Sequence, residues 1–464
     1  MAVLRLDELS GTIGGRIVQG DSSLEFRNFN IDSRLCKSGD LFFAIVDRRN
    51  GHDYIADAAL RGAAGAVISE DIIPPHKKFA LIRVKDTQDA LRTLARRVLS
   101  QQRTKVVGIT GSIGKTTTKE FTAALLSSKY NVLSSEGNFN NRLGLALSLL
   151  KLDSRHEVAV LEMAMSGRGE ILQLTKVAPP DVAVITNINP VHLQFLGSLE
   201  EVAQAKREIL EGTKKGGAAV LNGDDSRVRE IGRSWPGRKI YFGFSAGCDV
   251  RAQNIKRIGY EGMSFELDVL GKTAGFHFPF LYESFLSDLL AAAGVALAFS
   301  LSIEDISAPI GSLRPFPKRG VLVQLGREIR LVDDTYNSNP RALESALGSL
   351  VSLPAQRRIA VLGDMLELGQ EERDFHEKAG RQVAALGWDV LVTVGPLSRK
   401  MAEGARQAGM KEVNIHSFDT SEEAAARIWP LLKNGDLVLV KGSRGMRTER
   451  VVEELKKRAQ EKES

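Results

Sequence analysis

A strand, a glycine turn and a helix follow one another near residue 110, and no other stretch restricts the fold of this chain as tightly. The run Lys105-Val106-Val107-Gly108-Ile109-Thr110 reads as a buried strand. Gly111-Ser112-Ile113-Gly114-Lys115-Thr116-Thr117-Thr118 comes next, and a helical pattern runs from Lys119 to Tyr130. Glycines let backbone N–H groups turn toward a phosphate chain, and the helix N-terminus adds positive potential. Lys115 can reach β- and γ-phosphates, and the Thr116 hydroxyl can ligate Mg²⁺. The match is to Gly-x-x-Gly-Lys-Thr, because Ile109 stands where the longer pattern wants glycine. Gly111, Ser112, Gly114, Lys115, Thr116 and Thr117 are therefore candidate nucleoside triphosphate contacts.

Short β-branched runs alternate with helical segments from about residue 105 onward, which predicts α/β architecture with a mostly parallel sheet. The candidate strands are Lys105 to Thr110, Val158 to Met163, Val182 to Ile188, Ala218 to Leu221, Arg330 to Asp333, Arg358 to Gly363, Val390 to Gly395 and Leu437 to Val440. Several end in Gly, Asp, Asn or Thr, and ligands of open α/β sheets bind beyond the carboxyl ends of strands. At about 150 residues per domain, 464 residues suggest roughly three domains. The first hundred residues read as a small α/β domain. Pro315 to Gly320 reads as a hinge, and the chain from about Glu449 as a charged amphipathic helix.

Charge and cysteine usage exclude several functions. Lys plus Arg is 63 against 57 for Asp plus Glu, a small surplus spread along the chain, which argues against nucleic acid as a partner. Cys36 and Cys248 could form at most one bridge, so no disulfide framework exists. The uncharged stretch from Leu289 to Ile303 is short of a membrane span and reads as a buried helix. The acidic start Leu6-Asp7-Glu8 is unlike a signal peptide, and a cytoplasmic location is expected.

Downstream of the phosphate loop, Glu162 closes a predicted strand and could supply a second metal ligand. His192 follows another strand by a few residues, where an imidazole could ligate a metal or hold a phosphate. Lys206 lies in Ala205-Lys206-Arg207-Glu208-Ile209, which on composition is a solvated helix face.

Taken in order, Thr110-Gly111-Ser112-Ile113-Gly114-Lys115-Thr116-Thr117, Leu161-Glu162-Met163, Thr186-Asn187-Ile188 with His192, and Ala205-Lys206-Arg207-Glu208-Ile209 resemble the Mur ligases, ATP-dependent amide-forming enzymes of peptidoglycan precursor synthesis. The resemblance covers essentially the whole chain. It implies a UDP-substrate domain at 1–103, a central P-loop ATPase at 104–316 and a Rossmann-like amino-acid domain at 317–464. Further motifs resemble the family member whose substrates are UDP-N-acetylmuramoyl-tripeptide and D-alanyl-D-alanine. They are Asp32-Ser33-Arg34, Gly51-His52-Asp53-Tyr54-Ile55, Gly137-Asn138-Phe139-Asn140-Asn141, Asp333-Asp334-Thr335-Tyr336-Asn337, Leu362-Gly363-Asp364-Met365-Leu366-Glu367-Leu368-Gly369 with His376, and Val440-Lys441-Gly442-Ser443-Arg444.

By the same resemblance, Lys115, His192 and Lys206 would be catalytic, with Lys206 carried as a carbamate. Thr116, Glu162, His192 and Lys206 would hold Mg²⁺. Arg319 and Asp334 would reach ATP from the last domain. Ser33, Arg34, Asn50, Gly51, His52, Asn138, Asn140, Lys441, Ser443 and Arg444 would meet the other substrates. A monomer is expected. One departure stands out: Ser284-Phe285-Leu286-Ser287-Asp288 occupies the place of the usual His-Asn-x-x-Asn, which bears on adenine contacts. Asn189 also replaces a common glycine. A sister ligase adding the third amino acid, folylpolyglutamate synthase, and a non-catalytic nucleotide-binding relative are the competing readings.

Overall fold

The computed structural model describes residues 3–137, 139–191, 193–326 and 328–463. Asn138 and His192, both singled out above, lie outside the described residues. Three large sheets organise the chain. The N-terminal one has the order Arg16–Gln19, Ala80–Arg83, Gly65–Ile68, Leu41–Phe43, Phe29–Asn30, parallel except at its first edge.

The central sheet carries nine strands. From one edge they run Val132–Ser134, Val158–Glu162, Lys105–Thr110, Val182–Ile185, Ala218–Asn222, Arg238–Gly243 and Val250–Arg257, all parallel. An antiparallel ribbon, Met263–Val269 and Lys272–Phe278, completes it. Lys105–Thr110 therefore lies inside the sheet, buried on both faces as a parallel strand requires. The helix Lys115–Leu126 packs against the Ala-rich helix Glu283–Ala298 on one face.

The C-terminal sheet runs Val321–Gln324, Arg330–Asp334, Asp436–Lys441, Arg357–Gly363, Val390–Val394, Ile415–Phe418, with only the first strand antiparallel. The predicted terminal helix is present as Glu449–Glu463. No helix among the described residues is long and apolar enough to cross a membrane.

All eight predicted strands form, but the set was incomplete. Met263–Val269 alternates buried and half-buried positions because one face of the ribbon meets solvent, so it lacks the continuous apolar run that betrays a parallel strand. The strand predicted to Ile188 stops at Ile185. Beyond it, the backbone and side chains from Thr186 to Asn189 leave the ladder to bind the phosphate loop.

Candidate active site

Gly111 and Gly114 both take positive φ, +150° and +84°, and both are pressed from outside. A Cβ on Gly111 would collide with the Thr186 hydroxyl, and one on Gly114 with the Asp288 carboxylate. Only glycine fits such positions. The turn is fixed from the neighbouring strand end. Asn187 Oδ1 accepts from Ile113 N–H at 3.0 Å, while its Nδ2 and the Thr186 hydroxyl donate to the Ile113 carbonyl at 3.0 and 2.6 Å. Ser112 Oγ accepts from Asn189 N–H at 2.9 Å and donates to the Asn189 carbonyl at 3.0 Å. Asn189, noticed in the sequence only as a replacement, thus braces the loop through its backbone.

Lys115 opens the helix and its Nζ donates to the carbonyls of Gly111 and Ser112 at 2.8 and 3.1 Å. Burial pushes its pKa down, and the nearby Glu162 carboxylate opposes that shift. The Thr116 hydroxyl donates to Glu162 Oε2 at 2.7 Å, and Asn140 Nδ2 donates to Oε1 at 2.9 Å. One carboxylate therefore joins the phosphate-loop helix to the loop that resembles a substrate-binding segment. Thr117 is buried behind the loop.

Lys206 corrects the composition argument. Its helix, Leu199–Glu211, turns Val202, Ala205, Lys206 and Ile209 inward, and Lys206 is 1% exposed. Residues 202, 206 and 209 share one face at helical spacing, so the lysine sits among core positions despite its charged sequence neighbours. Burial lowers its pKa well below that of an ordinary lysine, and the positive charge of Lys115 lowers it further. Lys115, Glu162 and Lys206 thus occupy one electrostatic neighbourhood. Among the described residues, no three His, Cys, Asp or Glu side chains form a ready metal cluster. The Thr116 hydroxyl and Glu162 carboxylate are nevertheless hard oxygen donors of the kind Mg²⁺ takes.

Arg319, in the connection just before the C-terminal sheet, and Asp334, at the end of its strand Arg330–Asp334, approach the same region. Arg319 lies over the Tyr336 ring at 3.8 Å, and its charge is felt at Lys115, Asp288 and Asp334. Asp334 accepts from Lys441 Nζ at 2.7 Å; burial raises its pKa and Lys441 counters that rise. Lys441 also donates to the Asn337 carbonyl at 2.9 Å. Ser443 Oγ donates to the Ser338 carbonyl at 3.3 Å. Lys441 and Ser443 therefore shape this loop from within, and Arg444 beside them is exposed.

In the N-terminal part, Asn50 Oδ1 accepts from His52 N–H at 3.1 Å and from ring Nδ1 at 2.7 Å, while His52 Nε2 accepts from Ser69 N–H at 2.9 Å. A Cβ on Gly51 would meet the Ile45 backbone at 2.5 Å. These three residues hold their own turn. Ser33 is buried at the start of a single helical turn, and Arg34 is exposed with its guanidinium on Asp32 at 2.6 Å. The altered Ser284–Asp288 segment forms the first turns of the helix Glu283–Ala298. Phe285 stacks on Tyr282 at 5.3 Å, and Asp288 reaches Thr118 Oγ at 3.4 Å.

Comparison with known proteins adds to this geometry. Residues 109–296 match the Mur ligase middle domain, and residues 318–444 the Mur ligase glutamate ligase domain. The chain is 33% identical to the UDP-N-acetylmuramoyl-tripeptide–D-alanyl-D-alanine ligase of Bacillus subtilis (strain 168), over 91% of this chain and 92% of that protein. It is 32% identical to the ligase of the same name from Escherichia coli (strain K12), over 98% and 99%. Among solved structures it is similar to MurF from Acinetobacter baumannii, with TM-score 0.90, 29% identity and coverage of 98% and 99%. It is also similar to the MurF ligase of Thermotoga maritima in complex with ADP, with TM-score 0.83, 30% identity and coverage of 94% and 98%.

Proposed function

Because the chain belongs to the Mur ligase family, we propose that it uses ATP to join D-alanyl-D-alanine to UDP-N-acetylmuramoyl-tripeptide in peptidoglycan precursor synthesis. The observation that carries this reading is the Glu162 bridge between Thr116 and Asn140, which ties a phosphate-binding turn to a neighbouring loop suited to a second substrate. On this reading the sheet of residues 16–83 receives the UDP moiety, the central sheet ATP, and the C-terminal sheet the dipeptide.

A carboxylate does not react with an amine at neutral pH. The γ-phosphoryl group first passes to the tripeptide's terminal carboxylate, giving ADP and an acyl phosphate. The amine of the dipeptide then attacks the acyl carbon, the amide bond forms, phosphate leaves and the amine proton is lost. Lys115 and the backbone N–H groups of the turn neutralise charge on the transferring group, and Arg319 and Asp334 complete the site from the C-terminal domain. Thr116, Glu162 and Lys206 would hold Mg²⁺, with His192 as a further ligand, and the ion would supply Lewis-acid polarisation of phosphoryl oxygens. Burial and the charge of Lys115 push the Lys206 pKa down and so favour the neutral amine, the form that adds CO₂, which would give an anionic oxygen ligand.

Phosphate release is measured with ATP, Mg²⁺, UDP-N-acetylmuramoyl-tripeptide and either D-alanyl-D-alanine or a single amino acid offered with the dipeptide-stage precursor. The reading expects turnover with the tripeptide and D-alanyl-D-alanine alone. Turnover only with the single amino acid would assign the chain to the preceding ligation step.

A further inference from the structure

Lys119 is fully buried and has no part in the chemistry above. Taking an ammonium group out of water is costly, and methionine would fill the same space without that cost, so the partners of a buried lysine show what the fold gains from it. Lys119 Nζ donates to the Ser135 carbonyl and pairs with Glu120 Oε1 at 2.8 Å. Three residues earlier on the same helix, and so on the same face, Thr116 holds the Glu162 carboxylate. Ser135 is tied to that glutamate as well, because its Oγ accepts from Glu162 N–H at 3.4 Å.

The Lys119 tie falls where the central sheet is weakest. Ser135 follows the edge strand Val132–Ser134, which pairs on one side only, with Val158–Glu162. An edge strand lacks a second row of ladder bonds. Lys119 supplies a bond on this strand's end from the helix packed against it. The chain then leaves the sheet as a loop whose Glu136 and Gly137 are exposed, and the loop returns to the site. Asn140 Nδ2 donates to Glu162 Oε1 at 2.9 Å and its carbonyl accepts from Ala164 N–H at 3.0 Å, while Asn141 Oδ1 accepts from Gly144 N–H at 2.9 Å to start the helix Arg142–Leu149. The phosphate turn is fixed from the opposite neighbour, through Thr186, Asn187 and Asn189 beyond the strand Val182–Ile185. Removing the Lys119 tie therefore loosens one side of the site and leaves the turn braced.

We infer that Lys119 is a positioning residue for the UDP-substrate: by holding Ser135 it keeps the loop 135–141 formed before that substrate arrives. This assignment rests on the ligase reading above, in which the loop meets the UDP-substrate, and adds to it the residue that shapes that side of the site in advance. A loop already ordered costs less to bind. Loss of the tie is thus felt in the affinity for the UDP-substrate and not in the affinity for ATP.

Two variants test it. Lys119→Met keeps the apolar stem and removes the donor, and Lys119→Gln keeps a neutral donor that ends one bond short of the lysine nitrogen. Each should raise KM for UDP-N-acetylmuramoyl-tripeptide about tenfold and leave KM for ATP within about threefold. Lys119→Met should melt no lower than the parent. Amide hydrogen exchange reads the loop directly: a peptide covering 135–141 should exchange about tenfold faster in both variants, with 105–118 at the parental rate. A parental KM for the UDP-substrate, or parental exchange at 135–141, in either variant overturns the assignment. So does an equal rise in both KM values with a lower melting temperature, the result expected of a purely structural lysine. A parent protein with no dipeptide-dependent phosphate release removes the ligase reading itself, and the assignment with it.

Discussion

Thr116 and Glu162 are joined by a hydrogen bond of 2.7 Å that links the first turn of the phosphate-loop helix to the end of the adjacent parallel strand. Asn140 occupies the other oxygen of the same carboxylate. Glu162→Gln keeps the shape and can still accept from Thr116, but removes the negative charge and the hard anionic donor. Turnover should fall by on the order of 10²–10³ with the fold intact. Phosphate release across a Mg²⁺ titration checks this, and parental turnover at every concentration would remove Glu162 from the site.

Lys206→Met separates the chemistry of the buried amine from its cost. The folded pKa of Lys206 lies well below its unfolded value of about 10.4, so the chain releases a proton on folding. The unfolded state then binds more protons, and stability rises with pH between the depressed folded pKa and about 10.4. Methionine fills the space without that penalty. In CO₂-free buffer the variant should be at least as stable as the parent near neutral pH, with its advantage shrinking toward pH ~10, while turnover is lost. Denaturant unfolding across that range reads the slope; a difference independent of pH would contradict the account.

The sequence disclosed this site unevenly, for physical reasons. The phosphate loop was legible because a glycine turn between strand and helix is written in consecutive residues. Glu162 was legible because strand ends in a parallel sheet share one edge. Composition hid Lys206 and only the resemblance named it, since its burial depends on which helix face meets the sheet while its neighbours Arg207 and Glu208 advertise solvent. Asn50, Gly51 and His52 were visible as a motif, but their bonds to one another and to Ser69 could be seen only in three dimensions. The antiparallel ribbon after Arg257 escaped because its strands are half exposed.

Asp288 stands against Gly114, where a Cβ on the glycine would collide with its carboxylate. It is buried, and burial raises its pKa well above that of an ordinary carboxylic acid, with Arg319 and Thr118 opposing the rise. The folded chain thus keeps a proton that the unfolded chain gives up above pH ~3.9, so stability falls as pH climbs from there toward the folded pKa. Asp288→Asn removes this dependence. The variant should gain on the order of 1 kcal/mol near neutral pH and nothing below pH ~4. Urea unfolding at the two pH values tests it, and equal stability of variant and parent at neutral pH would refute it.

Arg257, the last residue of the strand Val250–Arg257, fastens the central domain to the C-terminal domain. Its Nη1 donates to the Leu281 carbonyl at 3.1 Å and, across the interface, to the Ser349 carbonyl at 3.2 Å. Nearby, the Tyr260 hydroxyl donates to the Pro354 carbonyl while Arg330 lies over its ring at 4.4 Å. The connection between the two domains, at 313–320, carries Lys318 and Gly320 at positive φ. Arg257→Ala leaves two carbonyls to find other donors and should weaken the interface by about 1–2 kcal/mol. Where cleavage is slow relative to reclosing, its rate follows the open population, so proteolysis at 313–320 should accelerate by roughly 5–30-fold. Lys239→Ala, whose side chain bonds only within the central domain, serves as the control. An unchanged rate in Arg257→Ala would show that the interface is held elsewhere.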